Sequence, residues 1–202
     1  MPSLLLRGSF VSKKSFKNKT LQDAVAIIGM GCCFPGIEHD LDEPEALFDF
    51  LLQKQSAIRA VPENRWPNAE YFDSDRSKPD KMISQKGGFI QHPEYFDAAF
   101  FKISAAEARQ MDPQQRLFLE TAMHALNDAN IKPSSLDNTN TGVFCGASTQ
   151  DYSQLNIKDQ IEFNGYTLTG VAQGGIAGRL SYVLNLKGPS MAIDTACSSS
   201  LA

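Results

Sequence analysis

The chain has 202 residues, with 19 Lys plus Arg against 23 Asp plus Glu and a formal net charge of −4. With 42% apolar residues it can bury a sizeable core, which excludes wholesale disorder. The mild acidity leaves no general electrostatic footprint for nucleic acid, and no uncharged apolar run approaches the roughly 18 residues of a membrane-spanning helix. Four cysteines are too few for a disulfide-built scaffold. Cys32 and Cys33 are adjacent, Cys145 lies in an apolar run and Cys197 sits among serines, a usage that fits reduced thiols in the cytoplasm. No C-x-x-C pair exists and His39, His92 and His124 are scattered, so no structural zinc site or other metal site is expected.

Residues 1–22 carry Arg7, Lys13, Lys14, Lys17 and Lys19 and no acid. They are expected to form a basic, poorly ordered extension. An organelle transit peptide and an exposed arm for an acidic partner remain as alternatives. A secretory signal is excluded, because the apolar part, Leu4 to Leu6, is too short. The ordered pattern begins with the apolar, β-branched run 24–28, which predicts a strand buried on both faces in a parallel sheet. Gly29, Gly31, Pro35 and Gly36 end it. Two glycines after a strand resemble the start of a dinucleotide fingerprint, but the third is missing, and no nucleotide cofactor is expected.

Pro44, between Glu43 and Glu45, opens a helix with an apolar face of Leu47, Phe48, Leu51 and Leu52. Residues 57–101 are broken by Pro62, Pro67, Pro79 and Pro93, yet rich in aromatics, which predicts a packed surface excursion. Within it, 86–90 reads as a short strand with a bulge. Ser104 with Glu107 predicts a capping box. Asp112 then caps a long helix with Pro113 at its first position, a stripe of Leu117, Phe118, Ala122, Met123, Ala125 and Leu126, and a stop at Asn130. A second buried strand is expected over 142–146. A small-residue helix follows over 174–184, with Ala177 and Gly178 allowing close packing and Arg179 at an edge. A third strand covers 189–193. The alternation of strand and helix predicts an α/β domain with right-handed crossovers.

The chemistry concentrates at the C-terminal end of the third strand. There Asp194-Thr195-Ala196-Cys197-Ser198-Ser199-Ser200 surrounds one thiol with small residues. A helix beginning after the turn would put Cys197 at its N-terminus, where free N–H groups favour a thiolate and can face an oxyanion. That pattern fits a nucleophile. Local pattern alone also fits a buried, inert cysteine, since free Cys is among the most buried residue types. Asp194 reads as a turn residue, Cys145 as core, and Cys32 and Cys33 as loop packing.

The run DTACSSSLA, Asp194 to Ala202, resembles the active-site motif of β-ketoacyl synthases, in particular the ketosynthase domains of type I polyketide and fatty acid synthases. Four further stretches resemble that family in order and spacing: VAIIGMGCCFPG from Val25, FDAAFFKIS from Phe96, AEARQMDPQQRLFLE from Ala106 and AGRLSYVLNLKGPS from Ala177. The resemblance covers 23–202 and implies the N-terminal half of a thiolase-like, five-layered αβαβα fold, incomplete at its C-terminus. It implies that Cys197 accepts an acyl chain from the phosphopantetheine of an acyl carrier protein. The chain is then condensed with a malonyl-type thioester by decarboxylative Claisen chemistry in polyketide or fatty acid biosynthesis. It also implies a homodimer, and no cofactor bound by the domain itself. The two histidines of the family's later motifs are absent, so His39, His92 and His124 are expected to be structural. Gly174 stands where the family often has Ser, and Cys33 where Arg is usual. A thiolase or starter-type synthase, and a ketosynthase-like domain that only passes a chain on or scaffolds an assembly, are the other readings. The chain reads as a fragment of a longer protein, inactive in condensation by itself.

Overall fold

The computed structural model describes residues 25–158 and 164–201. The basic extension predicted over 1–22, the first residue of the 24–28 run and Ala202 lie outside the described residues. In chain order the elements are α1 (Pro44–Leu52), β1 (Ile58–Ala60), α2 (Asn68–Tyr71), β2 (Lys86–Gly88), α3 (Ala105–Gln110), α4 (Pro113–Asp128), β3 (Val143–Gly146), α5 (Asp151–Lys158), α6 (Thr167–Val171), α7 (Gly174–Val183) and β4 (Ser190–Ile193). Short 3-10 turns cover Pro133–Leu136 and Ala196–Leu201.

The helix ends follow the predicted chemistry. Ser104 accepts a hydrogen bond from the Glu107 N–H at 3.1 Å and so caps α3. Asp112 accepts from the Gln114 N–H at 2.8 Å, with Pro113 first in α4. Asn130 adopts φ 52° just past α4. Its N–H reaches the Asn127 carbonyl at 2.9 Å, and the Ile131 N–H reaches the Leu126 carbonyl at 2.8 Å. Asn185, at φ 51°, ends α7 with the same pair of bonds, to Tyr182 at 3.1 Å and from Leu186 to Ser181 at 2.8 Å. Both asparagines occupy the left-handed position that glycine usually takes in this motif.

β3 and β4 pair in parallel, with Phe144 opposite Met191 and Cys145 opposite Ala192. Helices α5, α6 and α7 intervene in sequence, as a parallel connection requires. The core gathers Val143, Cys145 and Ala147 from the β3 region with Ile176, Ala177 and Leu180 from α7, Leu119 from α4, and Phe101 and Met111. β3 is buried on one face only: Val143 and Cys145 point inward, whereas Phe144 is 59% exposed. A separate antiparallel pair joins β1 to β2.

The expected strand at 24–28 does not form among the described residues. Val25 and Ile27 are 95% and 83% exposed. A buried strand needs a ladder partner, and the described parallel pairing is β3 with β4. The segment is held through its glycines instead, which lie flat on α4. A Cβ on Gly29 would come within 2.4 Å of the Ala125 carbonyl oxygen, and one on Gly31 within 2.5 Å of that of Thr121. The Met30 N–H donates to Asp128 at 2.8 Å. The strand expected over 86–90 stops at Gly88, because guanidiniums of Arg59 and Arg65 take the carbonyls of Phe89 and Ile90.

On α4 the predicted Phe118, Ala122, Met123 and Leu126 pack against the core while only partly buried, and the most buried positions are Gln115, Arg116 and Leu119. Gln115 and Arg116 are core-facing polar residues, which an apolar count cannot find. Gln115 donates to the Thr169 and Ala172 carbonyls and accepts from Arg179, whose guanidinium also pairs with Glu107. Arg179 is therefore not an edge residue; it locks α3, α4 and α7 together. Gly178 meets nothing within 4 Å, and the close approach belongs to Gly175, against the Gln115 amide.

Candidate active site

The two parallel strands end at the same edge of their sheet, and Cys197 stands four residues beyond the end of β4. The turn between is built from small polar groups. Asp194 accepts the Ala196 N–H at 2.9 Å, the turn role expected of it. Ala196 sits at φ 54°, a left-handed conformation unfavourable for a residue with a Cβ. The Ser199 hydroxyl accepts the Thr195 N–H at 3.0 Å and donates to the Ala196 carbonyl at 2.7 Å. The Ser198 hydroxyl donates to the Thr195 carbonyl at 2.9 Å.

The result is a tight turn followed by a 3-10 stretch that presents Cys197, the second residue of that stretch, to solvent. The sequence pattern predicts an α-helix at this point. Serine hydroxyls that bond nearby backbone groups favour the tighter turn, and the thiol still stands in its first turn.

The other thiols have different surroundings. Cys145 is 8% exposed, and burial pushes its thiol up. Cys33 is pushed up to about 11, first by burial and then by the carboxylates of Asp40 and Asp42, with Cys32 and Glu120 adding to it. Cys32 is raised by burial, Asp42 and Glu45. Cys197 is the exposed thiol of the four. The histidines do not join it: His92 stacks on Tyr95 with ring centroids 4.7 Å apart and contacts Glu94, and His124 lies on α4. Among the described residues no group of three or more His, Cys, Asp or Glu could hold a metal ion, and no helix is long and apolar enough to cross a membrane.

Sequence reasoning did not identify the bed on which the turn rests. A Cβ on Gly146, the last residue of β3, would meet the Ser199 backbone at 2.8 Å and the Ser200 nitrogen at 2.9 Å. Only a glycine lets the end of β3 approach the cysteine turn this closely. The available signal was a glycine closing an apolar strand.

Fold and site together define an α/β protein whose parallel strand delivers an exposed cysteine on a turn of small residues. Residues 22–202 match the family described as Beta-ketoacyl synthase, N-terminal domain, and the chain belongs to that family. It is 44% identical over 189 residues to one subunit of the phenolphthiocerol/phthiocerol polyketide synthase of Mycobacterium tuberculosis, covering 94% of this chain and 10% of that protein. Another subunit of the same synthase is 43% identical over 179 residues, 89% of this chain and 11% of its own length. Among solved structures, an oxazolomycin ketosynthase domain of Streptomyces albus JA3453 superposes with a TM-score of 0.76 at 33% identity, covering 87% of this chain and 30% of that one. The ketosynthase from module 6 of the bacillaene synthase of Bacillus subtilis 168 gives 0.69 at 35% identity, covering 87% and 27%. The fold is thus thiolase-like, as the sequence motifs implied.

Proposed function

We propose that this chain is the nucleophile-bearing first half, residues 23–202, of a ketosynthase domain in a polyketide synthase. Cys197 is its acyl acceptor. The observation that carries the reading is the exposed thiol, set on a tight turn at the C-terminal end of a parallel strand, within the matched family. In the loading step the Cys197 sulfur attacks the carbonyl of an acyl thioester presented on the phosphopantetheine of a carrier protein. A new S–C bond forms, the old C–S bond breaks, and the proton lost from the Cys197 thiol ends on the departing carrier thiolate. The N–H of Cys197 itself is the candidate oxyanion donor, since the Thr195 and Ala196 N–H groups are taken by Ser199 and Asp194. The second step, decarboxylation of a malonyl-type extender and C–C bond formation, needs groups that stabilise the enolate oxygen. The resemblance assigns these to histidines in motifs that this chain does not contain. A homodimer, a carrier-protein partner and a cytoplasmic setting, in keeping with the four free cysteines, complete the proposal.

The test is substoichiometric labelling of the full-length synthase with a thiol electrophile, mapped by mass spectrometry, alongside Cys197→Ala. Labelling should fall on Cys197, and the substitution should abolish acyl loading. Preferential labelling of Cys145, or elongation that survives Cys197→Ala, would refute the assignment. Residues 1–202 alone should form no condensation product from an acyl and a malonyl thioester.

A further inference from the structure

We propose that Gln173 is a positioning residue for Cys197. The inference rests on the reading of Cys197 as the acylated thiol. Gln173 lies immediately before α7, far from Cys197 in sequence, and makes no capping bond of its own to that helix. Its side-chain amide is committed elsewhere: Nε2 donates to the carbonyl of Ala147, the buried residue just past β3. Its Oε1 accepts from the Gln150 amide at 3.4 Å. One amide therefore grips the loop after β3 at two points, and only one orientation of the amide satisfies both. Gln114, on α4, holds the same loop through the Thr149 carbonyl at 3.1 Å.

Ala147 connects this grip to the nucleophile. Its N–H donates to the carbonyl of Ile193, the last residue of β4, at 3.1 Å. From that point the chain runs Asp194-Thr195-Ala196 directly into Cys197. Gly146, the neighbour of Ala147, is the bed under Ser199 and Ser200. The peptide units of residues 146 and 147 thus set both the start of the cysteine turn and the surface beneath it. Gln173 fixes where they lie. Removing its donor frees the Ala147 carbonyl and lets the loop, and with it the bed, shift. A nucleophile displaced by as little as about 1 Å can lose orders of magnitude in rate while remaining accessible.

The experiment uses the full-length synthase that carries this chain, with acyl loading from a short-chain acyl N-acetylcysteamine thioester followed by intact mass. Gln173→Met keeps length and removes both hydrogen-bonding groups. The rate constant for loading at saturating donor should fall about tenfold or more while KM stays within about threefold. Alkylation of Cys197 by iodoacetamide, a small reagent with little need for alignment, should stay within about twofold of wild type. Gln173→Lys restores a donor to the Ala147 carbonyl and should recover loading to within about threefold. Wild-type loading in Gln173→Met overturns the proposal. If Gln173→Met fails to fold, Gln173→Lys decides: recovered loading supports the proposal, and lost loading in a folded Gln173→Lys protein overturns it. If the wild-type protein does not load at Cys197 at all, the functional reading fails first, and the two failures are told apart by that control.

Discussion

Residues 25–100 and 101–201 are held together by different physics. The second stretch contains the contiguous core, from Phe101 to Leu186, with Met111, Leu119 and Ala177 wholly buried. In the first, Leu41 is the buried apolar side chain, while Phe48, Leu51, Leu52 and Ile58 each remain more than half exposed. That stretch is stitched by polar groups instead. Arg59 and Arg65 hold the Phe89 and Ile90 carbonyls, Asp40 accepts the Gln91 N–H at 2.8 Å, and Gln91 reaches the Glu38 carbonyl at 2.7 Å. Hydrophobic burial is tolerant of direction, whereas such hooks contribute only when each partner is in place. The candidate nucleophile is attached to the stretch with the core, which gives its turn a rigid base.

The sharpest test of this contrast compares two leucines. Leu119→Ala should destabilise by about 2–5 kcal/mol, because it leaves a cavity in a wholly buried site. Leu51→Ala, on the exposed face of α1, should change stability by no more than about 0.5 kcal/mol. Equal losses in denaturant unfolding would show that the first stretch has a core of its own. Gly31→Ala asks how the first stretch is fastened to the second. Its Cβ would press on the Thr121 carbonyl oxygen and the Ala125 nitrogen, both backbone atoms of α4. A loss of about 1–3 kcal/mol is expected, with faster hydrogen exchange confined to residues before 40. Uniform exchange across the chain would contradict a local fastening.

Gly178→Ala should act in the opposite direction. The added methyl meets open space in a helix interior, so about 0.5–1 kcal/mol of stabilisation is expected in the same unfolding assay. A loss would mean that this face of α7 is covered in the folded protein.

The last expected effect is electrostatic, belongs to the first stretch and is confined to alkaline pH. Cys33 is raised from 9.0 to about 11 in the folded chain, so the fold favours its protonated form. The associated stability is fully present below pH 9, where both states are protonated. It is lost as pH rises towards 11, because the unfolded thiol ionises first. Cys33→Ser should flatten stability between these pH values, measured by unfolding at fixed denaturant. An unchanged alkaline slope would place the titrating group elsewhere.

Local chemistry in the sequence was enough to read the caps at Ser104 and Asp112, the stop at Asn130 and the strand at 143–146, whereas Cys197 was singled out by the family resemblance, its local pattern fitting an inert cysteine as well. The caps, the stop and the strand each depend on side chains acting on backbone within a few positions, or on a period that a short run displays. Tertiary structure alone decided the rest. The apolar run at 25–28 reads as a strand, but a strand exists only with a partner edge, and its glycines are taken by α4 instead. Gln115 and Arg179 look like surface residues until α3, α4 and α7 converge and give their polar atoms partners. Gly146 shows only a glycine closing an apolar strand, and Gln173 nothing, of their contacts with Ser199 and with Ala147, because contacts between residues tens of positions apart arise only when the chain folds back on itself.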